Sequence, residues 1–300
     1  MFEGSIVALV TPFKGDKVDE VSYKKLVDWQ IGEGTNGIVP CGTTGESPTL
    51  SEKEHEQVIE LCVQVVAKRI PVIAGTGSNS TSEAINMTKH AAKVGADAAL
   101  VVTPYYNKPT NKGIYLHYKA ISESADIPII LYNIAGRTGK NIEPELMAKL
   151  ASDFKNIVGV KEASGSLEQM LRIKELCPKG FFLTSGDDAL TLPVLAIGGI
   201  GVISVAANIV PRDVAALITA FNKGDLKKAQ EINLKLVPLI RSLFIETNPV
   251  PVKTACELMG LCNGALRLPM CEMEEANLVK LKQALSKYGL LNMDLLNTRC

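Results

Sequence analysis

The sequence is poor in the residues that metal and redox chemistry most often uses. It holds three histidines and seven cysteines in 300 residues, and no two cysteines form a Cys-x-x-Cys pair. An odd, scattered set of this kind fits neither a disulfide framework nor a zinc site, so the cysteines are expected to be reduced and structural. Cys41, between Pro40 and Gly42, is the one to weigh as a nucleophile, and no histidine lies near it in sequence. There is no Gly-Lys-Ser/Thr phosphate loop, and Gly75-Thr76-Gly77 lacks the third spaced glycine of a dinucleotide fingerprint. Neither metal nor organic cofactor is therefore expected. Charge of one sign is lacking too: Lys+Arg and Asp+Glu both number 32, which argues against nucleic acid or an anionic membrane as partner. The opening Met1-Phe2-Glu3-Gly4-Ser5 carries no basic segment, and the apolar stretch 6–10 is too short for a signal peptide or a membrane span. A cytoplasmic protein acting on small molecules or proteins is the expectation.

What the sequence has is a repeat of short β-branched runs separated by amphipathic helical stretches. Strands are predicted over residues 6–10, 37–39, 71–74, 98–103, 128–133, 157–161, 181–185 and 202–204. Each run is almost continuously apolar, which signals parallel strands covered on both faces. Ser51 with Glu54 and Ser80 with Glu83 have capping-box spacing, and Gly95 follows Lys93-Val94 as a helix C-cap would. Eight strands alternating with helices make a (β/α)8 TIM barrel the expected α/β architecture, with a doubly wound open sheet as the alternative. Beyond residue 211 the periodicity is helical alone, over 214–221, 226–237, 239–246, 252–260 and 276–287. The expected organisation is a catalytic barrel over 1–225 and a C-terminal helical extension over 226–300 packed against it.

Active sites of such barrels lie where the chain leaves each strand. Lys161 ends the apolar run Ile157-Val158-Gly159-Val160. A lysine beside a buried strand is costly unless its charge is paired or lost, and a neutral amine can attack a carbonyl; the plain alternative is a side chain that snorkels to water. Around it the other strand ends deliver Cys41-Gly42-Thr43-Thr44-Gly45-Glu46-Ser47, Pro104-Tyr105-Tyr106-Asn107, Tyr132-Asn133 with Arg137-Thr138-Gly139, Gly186-Asp187-Asp188, and Ser204. Gly42 and Gly45 allow a tight turn aimed at an anion, or simply a connecting loop. Tyr105, Tyr106 and Tyr132 could relay protons or fill core. Arg137 suits a carboxylate clamp or the surface. Asp187-Asp188 reads as a helix N-cap rather than a metal site, and His55, His90 and His117 as surface or packing residues on helices.

In order and spacing, Gly42-Thr43-Thr44-Gly45-Glu46-Ser47, Pro104-Tyr105-Tyr106-Asn107-Lys108-Pro109, Leu131-Tyr132-Asn133, Arg137-Thr138-Gly139 and Gly159-Val160-Lys161-Glu162-Ala163 resemble the 4-hydroxy-tetrahydrodipicolinate (dihydrodipicolinate) synthase family. The likeness runs from Gly4-Ser5-Ile6-Val7-Ala8 to Asn248-Pro249-Val250-Pro251-Val252-Lys253. It implies condensation of pyruvate with L-aspartate-4-semialdehyde, with Lys161 as the Schiff-base amine. Thr43, Tyr132 and Tyr106 would make the proton relay, with Tyr106 crossing a subunit interface in a homotetramer built as a dimer of dimers. Thr44 would bind the pyruvate carboxylate and Arg137 the semialdehyde carboxylate, while Ile203 and Gly186 complete the substrate pocket. Ala135-Gly136 departs from the family pattern, in which many members have proline, and would loosen the Arg137 loop. Ser47, His55, Asn79, Glu83 and Tyr105 fall on a lysine-effector site, with Glu52 where lysine-sensitive enzymes carry histidine. The alternative within the superfamily is an N-acetylneuraminate or 2-keto-3-deoxy-acid lyase, which would share Lys161 and Tyr132.

Overall fold

The computed structural model describes residues 2–292. Eight parallel strands form one sheet: β1 (Gly4–Ala8), β2 (Gly37–Val39), β3 (Ile73–Gly75), β4 (Ala98–Val102), β5 (Ile129–Asn133), β6 (Ile157–Glu162), β7 (Phe182–Ser185) and β8 (Gly201–Ser204). Their spatial order is β2-β1-β8-β7-β6-β5-β4-β3, and a parallel bridge from Ile38 to Val72 joins the two ends into a barrel. Eight helices follow the strands: α1 (Glu20–Gly32), α2 (Glu52–Val66), α3 (Thr81–Val94), α4 (Asn111–Ser122), α5 (Pro144–Asp153), α6 (Leu167–Leu176), α7 (Thr191–Ala196) and α8 (Pro211–Asn222). Closure is why the strands read as apolar on both faces. On β5, Ile130 and Tyr132 join an interior cluster with Ile6, Ala8 and Ile203, while Ile129 and Leu131 pack outward against helices.

Capping chemistry sets the helix starts. Ser51 and Glu54 form a full capping box ahead of α2. The second box is only half made: the Ser80 hydroxyl accepts from the Glu83 amide, but the Glu83 carboxylate turns instead to the Ser78 hydroxyl at 2.8 Å. Gly95 ends α3 in the left-handed region at φ +90°, as its position predicts.

Several expectations need correction. The first strand lies two residues earlier than predicted, because residues 9 and 10 stay apolar for core packing after the ladder has ended. A small antiparallel hairpin, Phe13–Lys14 with Lys17–Val18, was not anticipated; two-residue strands carry no periodicity to read. The helices expected over 226–237 and 239–246 are one, α9 (Leu226–Leu243), with Pro238 inside it. Proline removes one helical donor. Here the carbonyl it leaves is that of Leu234, on a turn whose side chain is 71% exposed, where water can serve it. The buried stripe Leu236, Leu239, Ile240 and Leu243 continues straight across it. Two more helices follow, α10 (Val250–Leu258) and α11 (Glu275–Tyr288); α9 packs along α8, and α11 against α9 and α10. The three histidines lie on helices as predicted, and His55 and His117 are buried, which fits the packing half of that reading. Among the described residues no helix is long and apolar enough to cross a membrane.

Candidate active site

The alternation of a strand decides which side chains enter the barrel. Tyr132 is paired in register with Lys161, and Asn133 with Glu162. Asn133 and Glu162 point outward, where the Asn133 amide and the Gln169 amide donate to the Glu162 carboxylate at 3.0 and 3.1 Å. Burial pushes that carboxyl above the ordinary range. Tyr132 and Lys161, one residue back on each strand, therefore face the barrel interior. Lys161 is 6% exposed and its ammonium nitrogen lies 4.3 Å from the centre of the Tyr132 ring. The snorkelling alternative is excluded: the amine is held over an aromatic face, a contact that is worth about 2 kcal/mol when desolvated. Room for it comes from Gly186, where a Cβ would sit 3.1 Å from Lys161 Cε and 2.6 Å from the Ala163 Cβ.

The loop 42–47 lies at the same end of the barrel, braced from several sides. The Thr11 hydroxyl donates to the Gly45 carbonyl at 2.7 Å. Glu46 sits in the left-handed region at φ +55°, strained for a non-glycine residue, and its carboxylate meets Lys253 of α10 at 2.5 Å with both side chains almost fully buried. The Arg267 amide donates to the other carboxylate oxygen at 3.1 Å. Within the loop Thr44 is buried, and its hydroxyl accepts from the Asn248 side-chain amide at 3.0 Å. Cys41 is inert in this setting: burial pushes its thiol far above the ordinary range, and the thiol donates to the His55 carbonyl at 3.5 Å.

The remaining predicted residues divide. Ile203 is buried beside Tyr132 in the interior cluster. Its strand end is held by Asp188, whose buried carboxylate accepts from the Ser204 hydroxyl and from the amides of Val205 and Ala206; Asp187 makes the expected N-cap bond to Ala189. Arg137 occupies a single helical turn, Ala135–Thr138, closed by Gly139 at φ +69°. Ala135-Gly136 forms the start of this turn, and the guanidinium donates to the Asn248 carbonyl at 2.9 Å. Tyr106 is not among the residues the structure shows in contact with Lys161. It is 89% exposed and held in the left-handed region at φ +69°. Of the effector set, Ser47, His55, Glu83 and Tyr105 line one cavity of about 300 Å³, together with Glu52; Asn79 does not line it, and its carbonyl accepts from Asn107 instead. His55 enters this cavity neutral, since burial lowers its pKa to about 4.

The model of the dihydrodipicolinate synthetase family matches residues 1–288. The chain belongs to the dihydrodipicolinate synthetase family. It is 62% identical to the 4-hydroxy-tetrahydrodipicolinate synthase of Endomicrobium trichonymphae over 97% of its own length and 100% of that protein. The dihydrodipicolinate synthase crystal structure from Aquifex aeolicus is 52% identical, with a TM-score of 0.95 over 96% of this chain and 99% of that one. The chloride-inhibited enzyme from Acinetobacter baumannii, complexed with pyruvate, is 46% identical, with a TM-score of 0.94 over 97% of this chain and 100% of that one. The alignment of fold and sequence across this family covers both the barrel and α9–α11. Sequence reasoning missed Asn248, Lys253 and Asp188 as parts of the site. The Asn-Pro-Val-Pro-Val-Lys run was legible, but its partners lie about 200 residues away.

Proposed function

We infer that the protein is a 4-hydroxy-tetrahydrodipicolinate synthase, condensing pyruvate with L-aspartate-4-semialdehyde through an imine on Lys161. The observation that carries this reading is the buried amine of Lys161 over the Tyr132 ring at the loop end of the barrel. The amine attacks the pyruvate ketone, and the carbinolamine loses water to give the imine. Loss of a methyl proton leaves an enamine, whose carbon attacks the aldehyde of the second substrate. Each step moves a proton, which Thr43, Tyr132 and Tyr106 pass along. Thr44 holds the pyruvate carboxylate, Arg137 that of the semialdehyde, and Gly186 and Ile203 shape the pocket around the reacting carbons.

An exposed tyrosine fixed in a costly backbone conformation supports an exchange in which Tyr106 completes a neighbour's relay, and with it a homotetramer made of two such dimers. The cavity at Ser47, His55, Glu83 and Tyr105 is where the same reading puts a lysine effector, bordered by Glu52. The paired threonines and Arg137 favour the synthase over a lyase of longer sugar acids, because they suit short substrates ending in carboxylates. Borohydride reduction with pyruvate should attach a covalent adduct to Lys161, and the enzyme should consume pyruvate only with aspartate semialdehyde. A protein that gains no pyruvate-dependent mass, or that cleaves N-acetylneuraminate instead, overturns the reading.

A further inference from the structure

We propose that Asn248 is a positioning residue that aims the Thr44 hydroxyl at the pyruvate carboxylate and fixes Arg137 relative to it. The proposal rests on the roles given above to Thr44 and Arg137. One residue touches both. The Asn248 side-chain amide donates to the Thr44 hydroxyl oxygen at 3.0 Å, and its main-chain carbonyl accepts from the Arg137 guanidinium at 2.9 Å.

The polarity of the first contact matters more than its strength. A hydroxyl can donate one hydrogen bond and accept others. With the amide occupying an acceptor position, and with no other hydrogen bond to Thr44 Oγ1 among the described residues, the hydroxyl proton remains for an incoming anion. The second contact uses Nη2 of Arg137 and leaves the rest of the guanidinium fork for a carboxylate. Asn248 is 6% exposed, and its Oδ1 is buried with no partner. A buried amide with one unmade bond is poorly suited to filling space, and an apolar side chain would do that without the penalty. What the amide offers at this place is a donor of fixed direction.

The test compares wild type with Asn248→Ala and Asn248→Asp, reading the pyruvate concentration that half-saturates borohydride trapping, the KM of each substrate, and kcat. Asn248→Ala should raise the pyruvate half-saturation about tenfold, the loss of one hydrogen bond. The semialdehyde KM should move much less, because the main-chain bond to Arg137 survives. Asn248→Asp has nearly the same shape but only acceptors, so it captures the threonine proton and adds a negative charge beside the anion. It should raise the pyruvate half-saturation beyond the alanine value. If aspartate restores wild-type behaviour, or if neither variant shifts pyruvate binding, the proposal is wrong. A proportional loss in both KM values and kcat, together with a lower Tm, would leave Asn248 a merely structural residue. Should Asn248→Ala fail to fold, Asn248→Asp against wild type decides alone. Trapping of pyruvate by the wild type separates the two levels: without it the functional reading fails and the proposal with it, whereas with it only the role of Asn248 is at stake.

Discussion

Replacing Lys253 with methionine tests how the loop 42–47 is held. The ammonium lies 2.5 Å from the Glu46 carboxylate and 4.0 Å from the centre of the Phe13 ring, with the lysine side chain 0% exposed. Methionine fills nearly the same space, so the perturbation is electrostatic rather than a cavity. What remains is a buried carboxylate with the Arg267 amide at 3.1 Å as its other partner. Removing one member of a buried pair costs about 3–5 kcal/mol, because the other charge is left uncompensated. Urea unfolding at pH 7, followed by circular dichroism, should show a loss of that size for Lys253→Met. Glu46→Gln keeps an acceptor for the Arg267 amide, and combining it with Lys253→Met removes both charges together. The double variant should recover most of the loss, since neutral isosteres of a buried pair are often close to neutral in stability. Glu46 is two residues from Thr44, so kcat should fall in the single variant and partly return in the double. A cost below about 1 kcal/mol for Lys253→Met, or strict additivity of the two single changes, would refute the reasoning.

Two further outcomes follow from the packing and the titration of buried groups. Gly186→Ala drives a methyl to within 2.6 Å of the Ala163 Cβ and 3.1 Å of Lys161 Cε; overpacking of this kind costs about 1–3 kcal/mol, and the rate of borohydride-trapped adduct formation should drop while pyruvate binding changes less, so a rate within about twofold of wild type counts against it. Burial lowers the His117 pKa from 6.5 to about 4, so below pH 6.5 the unfolded chain takes up a proton that the folded chain refuses, and stability is lost as pH falls from about 6.5 to about 4. Relative to His117→Gln, wild type should lose up to about 3 kcal/mol across that window, measured as the difference in urea midpoints; parallel pH profiles for the two proteins would contradict it.

The sequence carried the strands because a closed parallel barrel buries both faces, which makes each strand an unbroken apolar run at little cost in ambiguity. It also carried the two residues that the structure brings together inside the barrel, since a lysine at 161 and a tyrosine at 132 stand out against apolar neighbours. What it could not carry is partnership. That Lys161 lies over Tyr132 follows from the register of β5 on β6, a pairing across 29 residues that no local pattern states. The misread helix at Pro238 is the same limit at shorter range: proline is a local stop signal, and a continuous buried stripe against α8 and the barrel overrides it. The contacts that shape the loop 42–47 are longer still, Asn248 to Thr44 across 204 residues and Lys253 to Glu46 across 207. Both come from the segment that opens α10, and Arg267, past the end of that helix, adds its amide to Glu46 and its guanidinium to Glu54. The conformation of the loop 42–47 is therefore set jointly by its own turn bonds, by Thr11 and by residues of the C-terminal helical region, and it is the last of these that hold the side chain of the strained Glu46. Changes in α10 that never touch substrate should reach catalysis through this loop, before they reach the barrel itself.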